Sequence, residues 1–168
     1  MNRIKIIPLI IALLFCTLSF CGCGEKQPTS INEFESKMTE RGYNVNVSAP
    51  TTSPCVTAVA RKNNYDILFY EVLADEDGSS ASDESRTALS VTYAIKLFES
   101  ITNEITFRSS PSETNTVDSE NASYFSFETE STYCAVTRFE NTIMFASVNS
   151  QYKDEIIDIF NSFGYSAD

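Results

Sequence analysis

Five stretches of this sequence are rich in apolar, β-branched and aromatic residues, and within two groups turn residues rather than long linkers separate them. Residues 55–61 and 65–73 flank Lys62-Asn63-Asn64. Residues 133–139 and 143–148 flank Glu140-Asn141-Thr142, with Tyr124-Phe125-Ser126-Phe127 just upstream. Short apolar-rich runs bounded by turn residues read as strands. Asn63 and Asn64 suit a hairpin turn because Asn tolerates left-handed backbone. The first group is expected to form a hairpin and the second a three-stranded meander.

Helices are expected around these strands. Ser30-Ile31-Asn32-Glu33 has the form of a capping box. Phe34 and Met38 share a face, and Gly42 supplies a stop, so the pattern predicts a helix over 31–41. Residues 43–47 alternate and read as a strand, and 50–54 form a turn-rich link. Val91, Ala94, Ile95, Phe98 and Ile101 recur at spacings of three and four, predicting a helix over 83–101 capped by Ser82 or Asp83. Residues 105–108 read as a short strand, and the polar segment 109–121 as a long connecting loop. A last helix is expected over 151–163, with Ser150 at its N-cap and Gly164 beyond its end. The fold class is therefore α+β: an antiparallel or mixed sheet of about six strands with three helices covering at least one face.

Two segments are alike. Arg61-Lys62-Asn63-Asn64 precedes Ile67-Leu68-Phe69, and Arg138-Phe139-Glu140-Asn141 precedes Ile143-Met144-Phe145. A Gly-Tyr pair follows a helix at both 42–43 and 164–165. Either a duplicated hairpin-plus-helix unit or convergence on common turn and core residues accounts for this.

The N-terminus sets location. Arg3 and Lys5 precede an almost entirely apolar run over 6–20, the length of a signal-peptide core and short of the roughly 20 residues that span a bilayer. The run ends Leu18-Ser19-Phe20-Cys21-Gly22-Cys23-Gly24, which resembles the lipobox of bacterial lipoproteins, where a small residue precedes a Cys that receives diacylglycerol. Gly22 and Cys23 match. Phe20 departs from the usual Leu three residues before the Cys. Cys21 is the competing acceptor, with Leu18 in place but bulky Phe20 before it, and cleavage near Gly24 without lipid is the further alternative. The expected organisation is a signal peptide at 1–22, a lipidated tether at 23–29 and one domain at 30–168, exported and held to the membrane through Cys23.

Composition narrows the function. The net charge is −11, and −13 without Arg3 and Lys5. Nucleic-acid affinity comes mainly from Lys and Arg neutralising phosphates, so no nucleic-acid partner is expected. There is no His, which removes Ser-His and Cys-His nucleophile pairs and the commonest metal ligand. No metal or cofactor is expected.

The remaining motifs are partial. Asp75-Glu76-Asp77-Gly78 with Glu84 imitates a calcium loop, but Leu73 stands where the first Asp belongs, and a solvated acidic loop is the expectation. Ser150-Gln151-Tyr152-Lys153 matches the Ser-x-x-Lys of penicillin-recognising enzymes without their Ser-Asp-Asn and Lys-Thr-Gly elements. Cys55 and Cys134 either form a disulfide, which an exported compartment permits, or serve as small buried hydrophobes. Tyr65, Phe69, Tyr70, Tyr124, Phe125, Phe127, Tyr133 and Phe139 are expected in the core, or on an open sheet face that binds peptide or glycan.

Cys23, Phe34, Met38, Gly42-Tyr43, Phe69-Tyr70, Arg138, Asn141-Thr142, Tyr152-Lys153 and Gly164-Tyr165 together give a chain that resembles small lipoproteins of Gram-positive anaerobes. That resemblance implies location and no activity. The expected role is a non-catalytic module binding a small ligand or an envelope protein. The alternative is an envelope hydrolase using two carboxylates, which requires a converging acidic pair.

Overall fold

The computed structural model describes residues 27–49, 54–73 and 83–165. The leader, Cys23 and the acidic segment 75–78 lie outside the described residues.

The described residues form a seven-stranded sheet, one strand more than expected: β1 (Asn44–Ser48), β2 (Cys55–Lys62), β3 (Tyr65–Val72), β4 (Asn115–Asp118), β5 (Ala122–Glu128), β6 (Thr132–Phe139) and β7 (Thr142–Asn149). Their order is β1-β2-β3-β7-β6-β5-β4, and every pairing is antiparallel. The hairpin and the meander are both present, joined where β3 pairs with β7. The helices are α1 (Ile31–Glu40), α2 (Asp83–Ser109) and α3 (Lys153–Ser162), the last entered through a 3-10 turn, Ser150–Tyr152.

Register sorts side chains between the two faces. On the first face Ala58, Ala60, Ala135 and Ala146 are small enough for α1 and α3 to approach, and Ile67, Phe69 and Met144 fill between them. Phe34 of α1 stacks on Phe69 at 4.7 Å and meets Phe163 at 5.5 Å. On the second face α2 lays Ala94, Leu97, Phe98, Ile101 and Ile105 over Val72, Ile143, Val136, Cys134, Phe125 and Phe127. Helices thus cover both faces. Burying a side chain of this size stabilises the fold by roughly 1.5–3 kcal/mol.

The cap at Ser30 is formed: its Oγ accepts from the Glu33 N–H at 3.3 Å. Helices α1 and α3 end alike. The Tyr43 N–H donates to Met38 O and the Gly42 N–H to Thr39 O, while Tyr165 N–H donates to Phe160 O and Gly164 N–H to Asn161 O. This is the Schellman pattern, and both glycines sit at positive φ (82° and 80°), where an L side chain is strained. Tyr43 and Tyr165 are the buried residues that follow each stop. The two Gly-Tyr pairs therefore record one solution to ending a helix.

Four expectations need correction. The strand over 105–108 is the end of α2, because Phe98, Ile101 and Ile105 continue one apolar stripe and the β-branched Thr106 bonds back to Thr102 O. The loop over 109–121 contains β4, whose residues are all exposed. It is a strand only through backbone pairing with β5, which leaves no apolar alternation to read. Ser150 is not the last helix's N-cap: Asn149 Oδ1 accepts from Gln151 N–H, and Ser150 Oγ donates to Thr129 O. Finally, the alternative of a duplicated hairpin-plus-helix unit does not fit, since α2 and α3 follow corresponding hairpins onto opposite faces.

Candidate functional site

The helices are staggered, so each face has one uncovered quarter. On the second face this is the β1–β2–β3–β7 side, where Val59, Leu68 and Phe145 face one another in register and are half-buried. A shallow hollow of about 520 Å³ lies there, lined by Arg61, Asp66, Leu68, Phe145 and Ser147 among others, and a second of about 370 Å³ lies at Asn44, Asn46, Val59 and Arg61. Arg61 and Asp66 close a bidentate pair at 2.7 Å on both arms.

On the first face the uncovered quarter is the β4–β5 side, beyond the reach of α3. Here a groove of about 430 Å³ runs between sheet and helix. Register builds its floor: Asn115 pairs with Ser126, and Glu128 with Tyr133. The Tyr124 and Tyr133 hydroxyls are 3.1 Å apart. Lys153 and Ile157 of α3 form the other wall. Lys153 bonds Glu128 and lies 5.7 Å over the Tyr133 ring. Burial first, and then the Tyr124 hydroxyl, push the Tyr133 phenol well above its ordinary pKa, so it is a neutral hydrogen-bonding group. The groove thus offers phenols, the hydroxyls of Thr114 and Ser126, the Asn115 amide, the Glu113 carboxylate and a paired Lys153–Glu128 beside the apolar Phe127 and Ile157.

Its position along the strands is also set. Gln27 and Pro28 line a third hollow with Asn121, Phe139, Glu140 and Asn141, at the opposite ends of β5 and β6 from Glu128 and Tyr133. The groove lies at the end of the domain away from the chain's entry.

The sequence-level candidates fare differently. Cys55 and Cys134 are both thiols. They cannot bridge: β2 and β6 are three strands apart, and Cys134 lies level with Arg61, six residues along β2 from Cys55. Strand spacing alone separates them by about 14 Å, beyond the roughly 7 Å limit between bridged Cα atoms. Burial raises both thiols, Cys134 to about 12, which keeps its sulfur protonated and poorly nucleophilic. The Ser150 and Lys153 side chains engage Thr129 O and Glu128 respectively, not each other. Of the carboxylates, Glu113 and Glu128 both line the groove, but Glu128 is held by Lys153.

A second polar cluster escaped sequence reading because its members are distant in sequence. Tyr43 and Tyr65 hydroxyls lie 2.6 Å apart, and Glu155 accepts from Tyr43 at 3.0 Å and from Lys62 at 2.9 Å. Burial pushes Tyr65 up to about 12 and Tyr43 further. Burial opposes ionisation of Glu155, but bonds from Lys62, Tyr65 and Tyr43 outweigh it and hold the carboxyl below its usual range. Each shift favours the form already present at neutral pH, so the cluster ties α3 to the β2–β3 hairpin rather than exchanging protons.

Among the described residues no helix is long and apolar enough to cross a membrane, and no three metal-ligating side chains converge. No protein-family model matches the chain, and no curated protein or solved structure matches it significantly.

Proposed function

We propose that this chain is an exported binding module, held to the outer side of the membrane through lipid at Cys23, which takes a neutral, hydroxyl- or amide-rich ligand in the groove between β4–β5 and α3. One observation carries the reading: phenols, an amide and hydroxyls line an uncovered part of the sheet, and among the described residues lining it the one cation, Lys153, is paired with Glu128. Such a lining suits a glycan or an extended peptide and disfavours a strongly charged ligand. The groove's distance from the tether supports the same role. Three residues separate Cys23 from Gln27, a reach of at most about 14 Å over four Cα–Cα steps, so the tethered end stays near the lipid and the groove opens outward. The carboxylate-hydrolase alternative ranks lower because Glu128 is engaged by Lys153.

The test compares the full chain with Cys23→Ala and Tyr124→Ala. Cys23→Ala should move the protein from the membrane to the soluble fraction. Binding is read by co-sedimentation with purified, uncleaved cell-wall glycan. Wild type should sediment with the glycan and Tyr124→Ala should lose roughly tenfold in affinity, the scale of one aromatic contact. Equal sedimentation of the two, or of neither, removes the groove reading. Retention of Cys23→Ala in membranes removes the anchor.

A further inference from the structure

We infer that β1 is a self-pairing edge through which two copies of this chain associate about a two-fold axis. As an outer strand, β1 pairs only with β2 among the described residues, so its other edge presents unpaired backbone donors and acceptors. Proteins commonly blunt such edges with charge, proline or a bulge. Asn44-Val45-Asn46-Val47-Ser48 contains neither charge nor proline, and its register with β2 runs residue for residue without a bulge. The opposite edge differs: β4 has four residues, ends in Asp118, and is bracketed by Glu113 and Glu120.

Three features select a second copy as the occupant. First, Val45-Asn46-Val47 reads the same in both directions. In an antiparallel pair centred on Asn46, that residue meets its own counterpart, Val45 meets Val47, and Asn44 meets Ser48. A two-fold interface needs this self-complementarity. Second, Val47 is 39% exposed, whereas Val45 packs against the core. Pairing sets each exposed valine beside the other copy's half-buried one. Third, a chain this acidic repels itself wherever unpaired carboxylates meet. The charged residues flanking β1 are instead paired internally: Arg41 with Asp158, Arg61 with Asp66 and Lys62 with Glu155. A two-fold axis perpendicular to the sheet also keeps corresponding faces together. It joins the two open Val59–Leu68–Phe145 quarters into one continuous surface on the same side of the double sheet.

Two five-residue strands bury less than the roughly 1,000 Å² of a free-standing interface. The dimer is therefore weak in dilute solution and gains from confinement on a shared membrane, a gain that rests on the lipid anchor proposed above.

The test uses the full chain in membranes. Directly opposed residues of an antiparallel pair have Cα atoms about 4.5–5.5 Å apart, within disulfide reach. Under mild oxidation Asn46→Cys should give a covalent dimer roughly tenfold above wild type and above Val117→Cys on the opposite edge. Equal yields from the two edges, or no dimer from Asn46→Cys, overturn the proposal. A second variant reads association without a cross-link. Asn46→Asp places two carboxylates across the axis and should lower the dimer fraction of the detergent-solubilised chain by roughly threefold in sedimentation. Val117→Asp should leave it unchanged. Wild type sedimenting only as monomer even at the highest protein concentration reached, or identical behaviour of both Asp variants, also overturns the proposal.

Discussion

The β2–β3 and β6–β7 hairpins share a turn and a plan, yet they place one arginine in opposite environments. In each, the first turn residue is left-handed, Asn63 at φ 55° and Glu140 at φ 51°. In each, an arginine stands two residues earlier and faces the second side of the sheet. Arg61 lies at the uncovered quarter, in an exposed pair with Asp66. Arg138 is 2% exposed. Its guanidinium donates to Ser123 Oγ and to the carbonyls of Asn121, Glu140, Ser119 and Glu120, and Ser123 in turn donates to Asp118. The difference lies in the neighbours. Outside Arg61 is the short edge β1, while outside Arg138 is β5 with the β4–β5 turn folded over it. One residue type in one local frame becomes surface decoration or an interior staple according to what the sheet places beside it.

Breaking the staple should have the largest effect. Arg138→Met keeps the aliphatic stem but removes the donors to the Ser123 hydroxyl and to the part-buried carbonyls of the β4–β5 turn and Glu140. It should destabilise the domain by about 3–5 kcal/mol in chemical denaturation, as when one partner of a buried polar set is removed. A loss no greater than that of an exposed substitution would show that water replaces the guanidinium.

Relieving strain should have a smaller effect of opposite sign. The left-handed region suits Asn63 but strains Glu140. Glu140→Asn makes the second turn like the first and should stabilise by about 0.5–1 kcal/mol, since its side chain makes no bond that the turn requires.

The position before each arginine sharpens the comparison further. Ala60 and Thr137 are both buried on the first face, but the Thr137 hydroxyl has no hydrogen-bond partner among the described residues. Thr137→Val removes that hydroxyl at constant shape and should stabilise by about 1 kcal/mol, read as a shift in the denaturation midpoint. The smallest effect is expected at Arg61→Ala, whose ion pair is screened by solvent. Its midpoint should stay within measurement error of wild type.

Much of this arrangement is legible in the sequence. Short apolar-rich runs bounded by turn residues locate six of the strands, the Ser30 and Gly42 signals bound α1, and the Phe98-Ile101 spacing identifies α2 even though it ends later than read. Those signals work because period and capping act over a few residues. The groove is not legible in this way. Asn115, Tyr124, Tyr133 and Lys153 come from three strands and a helix, and β4 carries no apolar pattern because both its faces are wet. The separation of Cys55 from Cys134 is equally invisible, since strand order and not sequence distance sets it.

The local chemistry of this protein was therefore determined by the sequence alone: which segments form the two hairpins, where α1 starts and stops, and the acidic, His-free composition that narrows the chemistry. Only the tertiary structure decided which face each helix covers. That choice left two quarters of the sheet open, while strand order buried one arginine, exposed its counterpart and held two thiols apart. Helix placement depends on apolar contacts summed over the whole sheet, a quantity that no local run of residues contains.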